Sequence, residues 1–122
     1  MNTDQKWAKA KEKYDIVYKN PIKLLQGDQV RVLKFESSPE WKGWVYCSDR
    51  RGVEGWVSET YLQIENQTAL VRKNYDATEI ALIKNQTVEI LTEEFGWAWV
   101  RDENNQEGWV PLKNLLLTTT VT

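Results

Sequence analysis

The sequence contains no histidine and a single cysteine, Cys47. Without histidine there is no Ser-His-Asp triad, no Cys/His nucleophile pair and no imidazole ligand for a metal. One cysteine makes neither an intrachain disulfide nor a multi-cysteine zinc site. That usage suits a reducing compartment, and the chain is expected to be cytoplasmic. No apolar run approaches the about 18 residues of a membrane span. The opening stretch, MNTDQKWAKAKEKY, is polar and has no apolar signal core. Asn66-Gln67-Thr68 and Asn85-Gln86-Thr87 fit the glycosylation pattern, but with no export signal beside them they read as chance matches. There is no Gly-rich phosphate loop and no calcium loop. Carboxylate pairs such as Glu93-Glu94 are adjacent in sequence, and nothing sets them across a cleft as an acid and a base. No enzyme, cofactor or metal is expected.

Charge of either sign is scarce in net terms. The formal net charge is −2 over 122 residues. Residues 1–64 carry eleven Lys/Arg and nine Asp/Glu, and the remainder five and nine. An acidic second half argues against nucleic acid, and the first half is too weakly basic to argue for it.

What the chain has instead is aromatic: seven Trp, five Tyr and two Phe. Large rings bury much area per residue, which small domains need. They also recur. Gly43-Trp44-Val45-Tyr46-Cys47, ending in Glu54-Gly55-Trp56-Val57, matches Gly96-Trp97-Ala98-Trp99-Val100, ending in Glu107-Gly108-Trp109-Val110. Upstream, Gln26 to Leu33 (QGDQVRVL) matches Lys84 to Leu91 (KNQTVEIL). The offset is 53 downstream and 58 upstream, so the first copy holds about five extra residues in FESSPEWKG, a loop by its Ser and Pro content. Val30 and Val32, like Val88 and Ile90, alternate with polar neighbours as in half-buried strands. SDRRGVEG and RDENNQEG read as hairpin turns. Cys47 aligns with Val100 and is expected to be a small buried apolar residue.

This repeat resembles the SH3 family, in the variant form found in bacterial proteins, over about 110 residues. In the second copy, Asn74 to Leu91 looks like the end of the first family strand, the RT loop and the second strand. There Tyr75 stands at the motif tyrosine and Glu79-Ile80-Ala81-Leu82 at the Glu-Leu-Ser-Phe stretch. Trp97 is the signature tryptophan, and Glu107 to Leu115 resembles the Gly-Leu-Phe-Pro-Ser-Asn-Tyr-Val ending, with Pro111 in place. In the first copy Tyr18, Trp44 and Tyr61 take the corresponding positions, and EWKGWVYC resembles a stretch of bacterial SH3-like proteins. The departures are Asn114 for the final Tyr, Ser58 for the Pro, a missing first motif Tyr in both copies, and an RT loop about three residues short.

The resemblance implies an all-β fold: two tandem SH3-like five-stranded barrels, residues 13–64 and 65–122, joined at Glu65-Asn66-Gln67 in a nearly fixed arrangement. Residues 1–12 are an N-terminal extension, with Asp4 to Tyr14 either a short helix or an unstructured tail. It also implies a non-catalytic adaptor that binds a protein or peptide partner, proline-rich or basic, in shallow aromatic grooves. One groove would use Tyr18, Trp41, Trp44 and Tyr61. The other would use Tyr75, Trp97, Pro111 and Asn114, with Asp76, Glu79, Glu93 and Glu94 as an acidic wall. Trp56 and Trp109 read as structural or inter-barrel residues. Two rival readings stand beside it. One is a structural or assembly protein whose aromatic faces are buried between barrels or in a homodimer. The other is a module that binds cell-wall peptides.

Overall fold

The computed structural model describes residues 6–118. The fold is all-β, as expected. Two five-stranded antiparallel sheets account for most of it, and the two strand sets fall into separate compact units. What differs from expectation is which strands go together. One unit is built from the N-terminal residues through Val17 together with those from Glu79 onward; the other is Tyr18–Thr78. The units in space therefore do not follow the repeats along the chain.

Consider first Tyr18–Thr78. Its sheet joins β3 (Gln29–Phe35), β4 (Trp44–Ser48), β5 (Glu54–Ser58), β6 (Leu62–Glu65) and β7 (Thr68–Val71), in the order β5-β4-β3-β7-β6. Before them β2 (Lys23–Leu24) pairs with β8 (Tyr75–Asp76). Inward positions alternate with outward ones. Val30, Val45, Cys47, Val57, Ala69 and Val71 are buried, together with Ile22 and Leu24 from the arm before β3. The Ser/Pro-rich insertion forms a single 3-10 turn, Pro39–Trp41, started by the Ser38 hydroxyl accepting from the Trp41 amide. Glu65-Asn66-Gln67 is not a linker. It turns β6 into β7 within this unit, with Glu65 opposite Thr68 and Asn66 at φ 59°. Asn tolerates that left-handed conformation better than most residues.

In the other unit, β1 (Lys6–Ala10), β9 (Thr87–Glu94), β10 (Trp97–Arg101), β11 (Glu107–Pro111) and β12 (Leu115–Leu117) form a sheet in the order β11-β10-β9-β1-β12. Its core gathers Ala8, Ala10, Val88, Ile90, Ala98, Val100, Val110 and Leu115, with Ile80 and Leu82 laid against them. Gly108 is small for a reason: a Cβ there would meet Ile80 and the backbone of Glu79.

The N-terminal stretch is thus a strand and not a helix; residues 4 and 5 lie outside the described residues. Ala, Lys and Glu are good helix formers, which favours the helix locally. Tertiary structure overrides that preference. Ala8 and Ala10 point inward with no usable exposed surface, while Trp7 and Lys9 point outward, a period of two. Both edges of β1 are then paired, Lys6–Lys9 with β9 and Ala8–Ala10 with β12.

The registers show β1 and β7 in equivalent slots. Ala8 faces Val88 and Leu117; Ala69 faces Val30 and Ile64, the repeat equivalents of those two residues. In a linear tandem, β1 would pair with β3 and β7 with β9. Here the two are exchanged.

Candidate functional site

The exchange decides which aromatic rings meet. In the unit closed by β1, Trp97 opens β10, directly opposite Pro111 at the end of β11. Tyr14 follows β1 on an arm that bridges to Leu82, and its ring meets Trp97 edge to face at 6.0 Å between centroids. Both residues are half-buried. The Tyr14 hydroxyl donates to Glu79 Oε1 at 2.8 Å, and the same oxygen accepts the Val17 amide at 2.9 Å. Glu79 is buried, so its carboxylate fixes the tyrosine and does not form an open acidic wall. Asn114 is buried as well. Its Nδ2 donates to the Lys13 carbonyl at 3.0 Å, and its own carbonyl accepts the Lys11 amide at 2.7 Å. It staples down the arm that carries Tyr14. Glu93 and Glu94 pair across from Ala98 and Trp97. Glu93 also makes a 3.6 Å ion pair with Lys6, both side chains largely solvated, a pairing worth little in stability.

In the Tyr18–Thr78 unit the rings are arranged differently. Trp44 stands opposite Ser58, whose hydroxyl caps the 3-10 turn Glu59–Tyr61. The Tyr61 ring packs on Tyr75 at 4.9 Å, and Lys73 Nζ lies 4.5 Å above Tyr61. The Tyr75 hydroxyl donates to the Trp56 carbonyl at 2.9 Å. Trp44 and Tyr75 are only 6% and 5% exposed. Tyr18 lies apart from this group: its hydroxyl accepts from Trp56 Nε1 at 3.1 Å. Trp56 in turn packs on Tyr46 at 4.9 Å, with Lys34 Nζ 5.3 and 5.6 Å from the two rings. Burial, and then the neighbouring Glu54, push the Tyr46 phenol up. Asp76 turns inward on its own loop, accepting from the amide and hydroxyl of Thr78. Trp41 closes its 3-10 turn. A shallow cavity of about 310 Å³ lies beside β2 and β8, lined by Lys23, Leu24, Leu25, Asn74, Tyr75 and Asp76.

Two of the expected groupings are therefore corrected. Tyr75 and Asp76 do not share a unit with Trp97 and Pro111; they belong with Tyr61. Tyr18 is not the motif tyrosine of its unit, since Tyr75 occupies that place. The tyrosine beside Trp97 is Tyr14, which the reading of the sequence passed over. A signal for it exists: Tyr-Asp follows the inward alanine of each slot by the same interval, Ala8 to Tyr14-Asp15 and Ala69 to Tyr75-Asp76. Trp109 is buried and packs on Trp99 at 5.4 Å. Trp99 Nε1 donates to Glu107 Oε1, and Arg101 Nε bonds the other oxygen at 3.1 Å. The indole first, then the guanidinium, hold the Glu107 carboxyl below the usual range. Cys47 is free and fully buried, and burial pushes its thiol up to about 12.

Among the described residues no three His, Cys, Asp or Glu side chains gather as metal ligands. No helix among them is long and apolar enough to cross a membrane. No curated protein and no solved structure matches the chain. A family model described as Variant SH3 domain does match, at residues 7–65 and again at 71–117. Those two matches span most of the sequence and coincide with the two copies of the Trp-centred repeat, so the chain belongs to the variant SH3 domain family.

Proposed function

We infer that this chain is a protein-interaction module, as SH3-type domains generally are. We propose that this chain is a non-catalytic peptide-binding adaptor whose working groove is formed by Tyr14, Trp97 and Pro111. The observation that carries this reading is the half-buried Tyr14–Trp97 pair, with Pro111, itself buried, as the register partner of Trp97. A polyproline II peptide is pre-formed and lays its ridges between such rings. The Trp97 indole N–H is a donor for a ligand carbonyl. Glu94, the register partner of Trp97 on the neighbouring strand, provides negative charge for a basic ligand residue.

The other aromatic cluster reads as structural. Trp44 and Tyr75 have little surface left, Tyr75 is tied to the Trp56 backbone, and Lys73 covers Tyr61. A shallow single groove binds at about micromolar strength or weaker.

The test is a titration with proline-rich peptides carrying a basic residue, followed by the NMR signals of the indole N–H groups. The Trp97 signal is expected to move first and furthest, and Tyr14→Ala to weaken binding about tenfold or more. Shifts centred on Trp44 with Trp97 unmoved would place the groove in the wrong unit. No shift at either would remove the reading.

A further inference from the structure

The strand slots of the two units are filled in different ways. β7 is delivered to its slot by the two-residue turn from β6, so its partner strand is covalently next to it. β1 has no such connection. The chain leaves its unit after Val17, makes the whole Tyr18–Thr78 unit, and returns at Glu79. Yet the strand pairs and hydrogen bonds of residues 6–17 run to residues 79–118: Lys6 to Lys9 with β9, Ala8 to Ala10 with β12, Tyr14 with Leu82, Asn114 with Lys13, and Glu79 with Tyr14 and Val17. Within its unit, the segment is a separate piece held by contacts alone.

We propose that this piece is exchanged between two copies of the chain, so that residues 6–17 of one copy complete the 79–118 sheet of another. The contacts made are identical in either arrangement, so the two differ only in hinge conformation and association entropy. In a single chain the segment is tied to its slot only through the whole Tyr18–Thr78 unit, so its local concentration there is finite. A second copy therefore competes when chains fold together at high concentration. The hinge allows it. Residues 18–20 form no strand and are exposed, and at about 3.3 Å per residue they extend to roughly 10 Å. The consequence is functional as well as structural, because Tyr14 rides on the exchanged piece. In the exchanged dimer each Trp97 meets the tyrosine of the other copy. The exchange itself does not depend on what the groove binds.

Cross-linking of the full chain tests this. Lys9 and Leu116 are register partners with exposed side chains, and register partners lie within disulfide reach. One chain carries Lys9→Cys and a second carries Leu116→Cys, both in a Cys47→Val background. They are unfolded together, refolded together over a range of concentrations, and only then oxidised. The expected result is a disulfide-linked heterodimer whose yield rises with refolding concentration and stands several-fold above a control pair of Lys9→Cys with Glu103→Cys. A yield no greater than the control at any concentration would overturn the proposal. So would linkage of Lys9→Cys to Gln63→Cys, the position β1 would face if it occupied the slot that β7 holds.

Discussion

Gly108→Ala adds one methyl group where an arm of the chain lies flush on a strand. Its Cβ would stand 2.7 Å from Ile80 Cγ2, 3.0 Å from the Glu79 carbonyl carbon and 3.0 Å from the Ile80 amide nitrogen. Gly55→Ala is the equivalent change in the other unit. There the methyl would stand 2.7 Å from Ile22 Cγ2 and 3.1 Å from Ile22 Cβ, with the nearest backbone atom at 3.7 Å. Overpacking of this kind costs about 1–3 kcal/mol. Replacing a strand glycine returns up to about 1 kcal/mol through the unfolded chain. The Ile22 side chain has some freedom to yield, whereas two backbone atoms beside Gly108 do not. Gly108→Ala is therefore expected to cost about 2 kcal/mol and Gly55→Ala about half that. Urea unfolding followed by tryptophan fluorescence measures both. Gly108→Ala has a second effect, since the displaced arm carries Glu79, which holds Tyr14. The Trp97 indole signal should shift in Gly108→Ala and stay in place in Gly55→Ala. A Gly108→Ala chain as stable as the parent, or a Gly55→Ala chain that is the weaker of the two, would refute the packing argument.

Other outcomes follow from single groups. Burial pushes the Cys47 thiol up from the ordinary value of 9.0 to about 12. The folded state then keeps a proton that the unfolded state loses, so this contribution is intact below pH 9 and declines as pH climbs towards 12, by about 1.4 kcal/mol per unit at most. Cys47→Val should remove that part of the alkaline loss, which unfolding midpoints of the two chains at pH 8 and pH 10.5 would reveal; equal losses would count against it. Ser58 is buried and caps the Glu59–Tyr61 turn, so Ser58→Ala should lower stability by about 1 kcal/mol, measured by urea midpoint, with no change pointing to a cap that does not matter. Removing residues 1–10 should strip amide protection from residues 79–118 and spare Tyr18–Thr78 in hydrogen exchange, and the reverse pattern would assign β1 to the wrong sheet.

Much of the fold is readable from the chain because the Trp-centred repeat fixes β3 to β5 and β9 to β11 directly. The Gly-Trp openings, the Asp- and Asn-rich turns and the alternating valines each carry a local cause. Strand exchange carries none. Ala8 and Ala69 present the same small side chain to equivalent slots, so alternation alone does not say which slot either fills. The Ala-Lys composition around β1 also favours a helix until two strand edges are there to bind it. The site suffers for the same reason. Trp97 and Pro111 are legible because they sit on one hairpin, but the tyrosine that meets Trp97 arrives from a segment 83 residues earlier. Glu79 and Asn114 look like ligand contacts in sequence. Their true partners, Tyr14 with Val17 and Lys13, belong to that same remote segment.

The exchange of β1 and β7 is tested most directly by cross-strand nuclear Overhauser effects from the two slot alanines. The account predicts contacts from Ala8 to Val88 and Leu117, and from Ala69 to Val30 and Ile64. Contacts from Ala8 to Val30 and Ile64, with Ala69 on Val88 and Leu117, would show a linear tandem and contradict it.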